Sequence, residues 1–243
     1  MRGLILAVQF LTRLPTPQLA DFKPEWLAAS ARWFPAVGVI VGALLLAALR
    51  LGSLIDPWLA ALLALLAWVM VTGGLHLDGL ADLSDALGAA HRSRERFFEV
   101  LKDPHLGSFG VLSLILAVAA KLVLLMLAAR HGGPAWGLLL VPAWARGFAV
   151  AWSATLPAIA PGSGERFAWR RDWAGMGLNL AALLALSAWL APALLLAPLA
   201  GLAWWAFLKR RLGGMTGDCL GAGVELCEIA MLGLLLWRVP AWN

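Results

Sequence analysis

The sequence predicts an all-α polytopic integral membrane bundle, with about seven transmembrane helices and an interfacial helix at the N-terminus. Three observations lead there. Of 243 residues, 62% are hydrophobic and only 14% are charged, against roughly half and about a quarter in soluble domains. Mean hydropathy is correspondingly high, at +0.83. The apolar runs approach the roughly 20 residues that a helix needs to cross a bilayer core, and they lack the short alternation of membrane-barrel strands. In lipid, every backbone polar group must be paired internally, so such runs cross as helices.

Taken in order, MRGLILAVQFLTRLPTP has one early arginine and a short apolar run closed by Arg13, with no small-residue cleavage site. It reads as a retained membrane-surface helix rather than a cleaved signal peptide. Candidate spans then cover residues 34–49, 57–75, 109–129, 134–156, 175–190, 192–208 and 220–237. Pro192 and Pro198 either kink one span or separate two. With a cytoplasmic N-terminus and seven crossings, the basic clusters at 92–102, 166–171 and 209–211 all fall on the cytoplasmic side, as the positive-inside rule requires. Losing one crossing would reverse the later clusters. There are fourteen tryptophans and no tyrosine. Trp33, Trp58, Trp136, Trp169, Trp173 and Trp237 lie near span ends, where indole rings anchor at the interface.

The longest polar segment, 76–108, is too short for a soluble domain, so residues 1–243 read as a single transmembrane catalytic domain. The net charge of +5 is spread among loops rather than gathered in one stripe, which argues against a nucleic-acid partner. It suits topology and contact with membrane lipid headgroups or phosphates. Cys219 and Cys227 stand eight residues apart on one helix, too far to bridge. Oligomeric state is not fixed by the sequence, and a homo-oligomer is compatible with it.

The chemistry gathers in three polar stretches. TGGLHLDGLADLSDALG places Asp78, Asp82 and Asp85 at i, i+4 and i+7. On a helix over 77–87, their directions fall within roughly 60° of one another. Three carboxylates on one face repel, at high cost near a low-dielectric medium. A divalent cation relieves the repulsion, and Mg²⁺ is commonly held by a few carboxylates plus substrate phosphates. His76, beside that face, is a candidate to orient a ligand or move a proton. KRRLGGMTGDCLGAGVELCE leads from Lys209, Arg210 and Arg211 through a Gly-rich turn to Thr216, Asp218, Glu225 and Glu228. Acids within an apolar run are functional candidates, and turn glycines expose N–H groups that cradle phosphate. KDPHLGSFG sets Lys102, Asp103 and His105 at the start of a span. Arg146 lies within a span and must pair with an acid or a phosphate.

In these stretches the chain resembles the cobalamin synthase family, the adenosylcobinamide-GDP ribazoletransferases. GGLHLDGLADLSDALG is similar to that family's acid motif. FLTRLPTP looks like its opening, KDPHLGSFG like its K-D-x-R-x-G-T-x-G segment, and GGMTGDCLGAGVELCE like its late TGD motif. The order is kept along nearly the whole chain. Leu75 stands where an aromatic is usual, Ala86 and Ala89 where glycines are common, and His105 where arginine is usual.

The resemblance implies a Mg²⁺-dependent phosphotransferase in the bacterial cytoplasmic (inner) membrane, with its site at the cytoplasmic face. Such an enzyme joins adenosylcobinamide-GDP to α-ribazole or its 5′-phosphate and releases GMP. On that reading Asp78, Asp82, Asp85 and Asp218 hold the metal. Asp82 or His76 accepts the proton. Lys102, Asp103, Arg146, Lys209, Arg210, Thr216 and Glu225 bind substrate. Two alternatives use some of the same features: a CDP-alcohol-type lipid phosphotransferase, which would release CMP, and a secondary transporter with intramembrane charges.

Overall fold

A computed structural model describes residues 2–19, 24–89, 93–162, 166 and 171–237. Arg92, Trp169 and Arg170 lie outside that range. The described residues form helices and short 3₁₀ turns, in the order α1 (Arg2–Leu11), α2 (Pro24–Ser30), α3 (Phe34–Gly52), α4 (Pro57–Thr72), α5 (Leu75–Ala89), α6 (Arg94–Leu101), α7 (Ser108–His131), α8 (Val141–Thr155), α9 (Trp173–Leu190), α10 (Ala197–Arg211) and α11 (Gly217–Leu236). Among them, six helices are long and apolar enough to cross a membrane, and the bent pair α4–α5 brings the number to seven if it is counted as one crossing. The expected all-helical bundle is therefore present, and a ten-residue apolar helix stands at its N-terminus.

The boundaries follow local chemistry. Asp56 caps α4 by accepting from the N–H groups of Trp58 and Leu59, with Pro57 at the first helical position; a proline there gives up no intrahelical bond. The expected crossing at 57–75 stops at Thr72, because Gly73 and Gly74 both have positive φ, 63° and 71°. Their conformation turns α5 through 85° relative to α4. α5 is therefore not a straight continuation of α4. Pro192 opens a 3₁₀ turn, Pro192–Leu196, that leads directly into α10. Pro192 thus marks the junction between two separate candidate crossings, Trp173–Leu190 and Pro192–Arg211, and Pro198 lies in the first turn of α10, within the second. The last span begins three residues earlier than expected, at Gly217, capped by Thr216.

α11 is the centre of the bundle and packs against α5, α7, α8 and α10, while α3 packs against α4 and α8. Its most apolar stretch is 67% buried within the protein, whereas that of α9 is only 11% buried. With little hydrophobic driving force between helices in lipid, close packing through small residues takes over. On α3, Gly38 and Gly42 press on α8 and on the turn before it, where a Cβ would strike the backbone of Ala143 or of Leu138. The chain after α1 returns to the α4–α5 bend: Arg13 N donates to Val71 O at 2.7 Å. The Arg13 side chain also covers Gly73, whose added Cβ would lie 2.5 Å from its Nε.

The two bend glycines should respond differently to alanine. Gly74→Ala meets open space and carries only the left-handed penalty, about 1 kcal/mol. Gly73→Ala carries that penalty and also displaces Arg13. Its thermal unfolding midpoint in detergent should be the lower of the two.

Candidate active site

The two acid-bearing segments, some 140 residues apart in sequence, meet where α5 crosses the start of α11. A Cβ on Gly79 would lie 3.0 Å from the Cα and carbonyl oxygen of Asp218, and one on Gly221 would lie 3.3 Å from the carbonyl oxygen of His76. Alanine at Gly79 would force the backbones apart, so the glycines set how near Asp78 and Asp218 come. The turn before α11 is held from both sides. Ile159 N donates to Met215 O at 3.0 Å, and Met215 N to Pro157 O at 2.9 Å. Thr216 Oγ1 accepts from Cys219 N at 3.2 Å and lies 3.4 Å from Asp218 Oδ2. Thr216, expected to bind substrate, is the N-cap of α11.

Asp78 and Asp218 line one cavity together with His76 and Arg146. Asp82 is one turn further along α5. Its carboxyl is pushed up to about 6, first by burial and then by the negative charges of Asp78, Asp218 and Asp85. Among the described residues, no basic side chain lies within 4 Å of Asp78, Asp82 or Asp218. No three His, Cys, Asp or Glu side chains there converge at ligating distance. A cation that takes one or two carboxylates, with phosphate oxygens and water completing its shell, fits this donor set. An all-protein cage does not.

Asp85 sits differently. Its Oδ2 accepts from Gly107 N and its Oδ1 from Gly110 N, both at 2.8 Å. It thereby caps α7 and ties KDPHLGSFG to the acid helix. Both of its oxygens accept backbone N–H groups, and it does not line the cavity shared by Asp78 and Asp218. Asp103 is exposed and holds its neighbour. His105 N donates to Asp103 Oδ1 at 3.0 Å, and the ring Nδ1 lies at 2.6 Å. Those contacts, the ring's first, hold the Asp103 carboxyl below its usual range. Lys102 is exposed at the C-cap of α6. Lys209 sits over the Trp205 ring at 4.6 Å, and Arg210 is exposed. None of these four lines the cavity of Asp78 and Asp218.

Beneath the cavity lies a buried network of four charges. Lys121 Nζ is 2.7 Å from Glu225 Oε2 and 2.6 Å from Glu228 Oε2, and Arg146 Nη1 is 2.9 Å from Glu228 Oε1. Arg146 Nη1 also donates to Pro142 O at 3.0 Å. Two cations and two anions balance, as intramembrane charges must. The Lys121–Glu225 contact is ionic in distance but lacks hydrogen-bond alignment, and Glu225 Oε2 accepts no hydrogen bond. Glu225, expected at the substrate, is held inward by Lys121. Arg146 is fully buried, yet among the described residues its Nε and Nη2 have no hydrogen-bond partner. Glu228 was named from the sequence only as an acid within an apolar run, without a role, and Lys121 was not singled out as a site residue. The signal that reveals them is the equal number of cations and anions inside the spans.

Fold and site together define a polytopic helical membrane protein in which carboxylates from two distant segments share a cavity with an arginine that has donors to spare. A family model described as cobalamin-5-phosphate synthase matches residues 3–236. The chain belongs to that family and is a transferase of cobalamin synthesis. It is 64% identical over 241 residues to the adenosylcobinamide-GDP ribazoletransferase of Laribacter hongkongensis, covering 99% of this chain and 98% of that one. Similar proteins of the same name occur in Thiobacillus denitrificans, at 52% identity over 96% of this chain and 94% of that one, and in Novosphingobium aromaticivorans, at 48% over 96% and 95%. No solved structure matches the chain. Membership in this family sets aside the transporter and the lipid phosphotransferase.

Removing the α7 cap should act on stability. Asp85→Ala leaves two N–H groups without their acceptor, at a cost of about 1–2 kcal/mol. The unfolding midpoint in detergent should fall, with turnover declining in step with the folded fraction.

Proposed function

We propose that this chain transfers the adenosylcobinamide phosphate group from adenosylcobinamide-GDP to α-ribazole or its 5′-phosphate. The reaction releases GMP and depends on Mg²⁺, at the cytoplasmic face of the bacterial inner membrane. The observation that carries the reading is Arg146: two buried N–H positions without a partner, in a cavity also lined by Asp78 and Asp218. Unpaired guanidinium donors call for anionic oxygens, and carboxylates across the same cavity call for a cation. A pyrophosphate accompanied by a divalent ion satisfies both.

Phosphoryl transfer needs mainly positioning and neutralisation of charge. Asp78 and Asp218, which line one cavity, would hold the ion, and Asp82 is left to take the proton. When bound, Mg²⁺ supplies the positive charge that offsets the pyrophosphate oxygens and the departing GMP. Arg146 aims Nε and Nη2 at the phosphoryl oxygens, while Nη1 stays anchored on Glu228. A ribose hydroxyl oxygen attacks the phosphorus nearest the aminopropanol, and the bond from that phosphorus to the GMP oxygen breaks. The hydroxyl proton passes to a carboxylate oxygen of Asp82, with buried His76 shaping the wall beside it. Sequence clustering of basic residues at 209–211 on one side supports the cytoplasmic orientation.

GMP release by the detergent-solubilised protein, supplied with both substrates, tests the reading. EDTA should abolish release and added Mg²⁺ should restore it. Asp82→Asn should lower turnover about 100-fold or more, in the range of lost proton transfer, without lowering the unfolding midpoint. Near-normal release by that variant would remove the site. Arg146→Lys keeps a charge for Glu228 but loses the planar fork. It should lower kcat/KM at least roughly tenfold, the loss of one charge-assisted hydrogen bond.

A further inference from the structure

A second cavity, lined in part by the start of the turn that leads to Asp218, is not used by the mechanism above. It measures about 240 Å³, far more than the roughly 10–15 Å³ that one water needs, so it admits a group of many atoms. Its charged lining among the described residues is Arg94 and Arg211, with no carboxylate. Among the described residues, neither arginine has an acidic partner within 4 Å. Arg94 lies over the Phe98 ring at 5.9 Å, and Phe98 is held edge-on by buried Phe97 at 5.2 Å. The remaining walls are Leu87, Ile159 and Leu212.

Those walls belong to the elements that present the acids. Leu87 is two residues past Asp85 on α5. Leu212 opens the turn that ends at Asp218, and Ile159 is hydrogen-bonded to Met215 within that turn. Residues 211–212 line this cavity and residues 217–218 line the acid cavity, so one short stretch of chain contributes to both.

We propose that this cavity is the acceptor subsite, where Arg94 and Arg211 hold the 5′-phosphate of the incoming nucleotide and the apolar walls take its flat base. The inference rests on the reading of the reaction above. Its chemical ground is a count of phosphates. Both phosphates of the GDP-activated donor belong to the bond being broken and so lie at the acids and their cation. The only phosphate that takes no part in transfer is the one on the acceptor. A pocket whose described charged lining is two arginines, separate from the acid cavity, suits that spectator dianion, because two guanidiniums supply paired donors to phosphate. An anionic lipid headgroup offers the same phosphate chemistry, so the test must separate the two.

The experiment measures KM for α-ribazole and for α-ribazole 5′-phosphate by GMP release, in wild type, Arg94→Gln, Arg211→Gln and Arg211→Lys. Each Gln variant should raise the ratio of the phosphorylated to the unphosphorylated KM by roughly tenfold or more, the value of one charge-assisted contact. Arg211→Lys should recover part of the change. KM is independent of the folded fraction, so partial misfolding does not mimic this result. Wild-type release with either acceptor confirms the underlying reaction on its own. If wild type is active and the ratio in the variants stays unmoved, the subsite is elsewhere. A rise in the donor KM instead would give the pocket to the guanosine end and overturn the proposal. So would an unchanged ratio with lost stimulation by phosphatidylglycerol vesicles, which would make it a lipid site.

Discussion

The close crossing of α5 and α11 is the constraint on which the site depends. Two helix backbones approach this far only where neither carries a side chain at the contact, and Gly79 and Gly221 provide that. The crossing brings a carboxylate at a helix N-terminus, Asp218, beside carboxylates on a second helix. Like charges at that range oppose it, which is visible in the upward shift of Asp82. The crossing is therefore held by other things: the Thr216 cap, the pinning of Met215 to residues 157–159, and the packing of α11 in the middle of the bundle. The fold supplies the energy that keeps unfavourable charges together, the usual sign of a site prepared for an ion.

The buried four-charge network plays a different part. A buried ion pair adds little net stability over an apolar pair of the same shape, because desolvation offsets attraction. What this one supplies is orientation. Glu228 takes a donor from Arg146 on one oxygen and Lys121 on the other, and Lys121 is itself seated over Trp68 at 4.1 Å. Arg146 is thus fixed by Nη1 alone, with Nε and Nη2 left unpaired. An arginine with all its donors satisfied would be inert. An arginine with none satisfied would not stay in lipid as a charge.

Much of this was legible in the sequence because hydropathy reports spans directly. Charge periodicity on 77–87 likewise found the acid helix to within two residues at each end. The 57–75 crossing read too long because leucines and valines run unbroken up to the bend; only the paired Gly73 and Gly74 mark it, and positive φ does not show in composition. Asp85 looked equivalent to Asp78 and Asp82 because helical spacing gives a direction, not a neighbour. Its neighbour, the N-terminus of α7, comes from more than twenty residues away. Glu225 read as a site acid for the same reason. Arg211 was overshadowed by Lys209 and Arg210, since a run of three basic residues on the last turn of a helix fans out to different sides. The sequence does not say which side a pocket is on.

Compensated and uncompensated charges divide by depth in this molecule. Within the spans, Lys121, Arg146, Glu225 and Glu228 cancel, as any charge held in lipid must. At the end where α4 bends and α11 begins, charges do not cancel. Among the described residues, Asp78, Asp82 and Asp218 have no basic partner within 4 Å, and Arg94 and Arg211, which line a separate cavity, have no acidic one. These opposite excesses could neutralise each other if they were in contact, and the turn between Arg211 and Asp218, fixed by its hydrogen bonds to residues 157–159, keeps them apart. Holding two unsatisfied fields of opposite sign on a rigid spacer is costly for folding alone. It is what a centre needs when it must gather a cation with a pyrophosphate on one side and a second anion on the other, and align them across a single turn of chain.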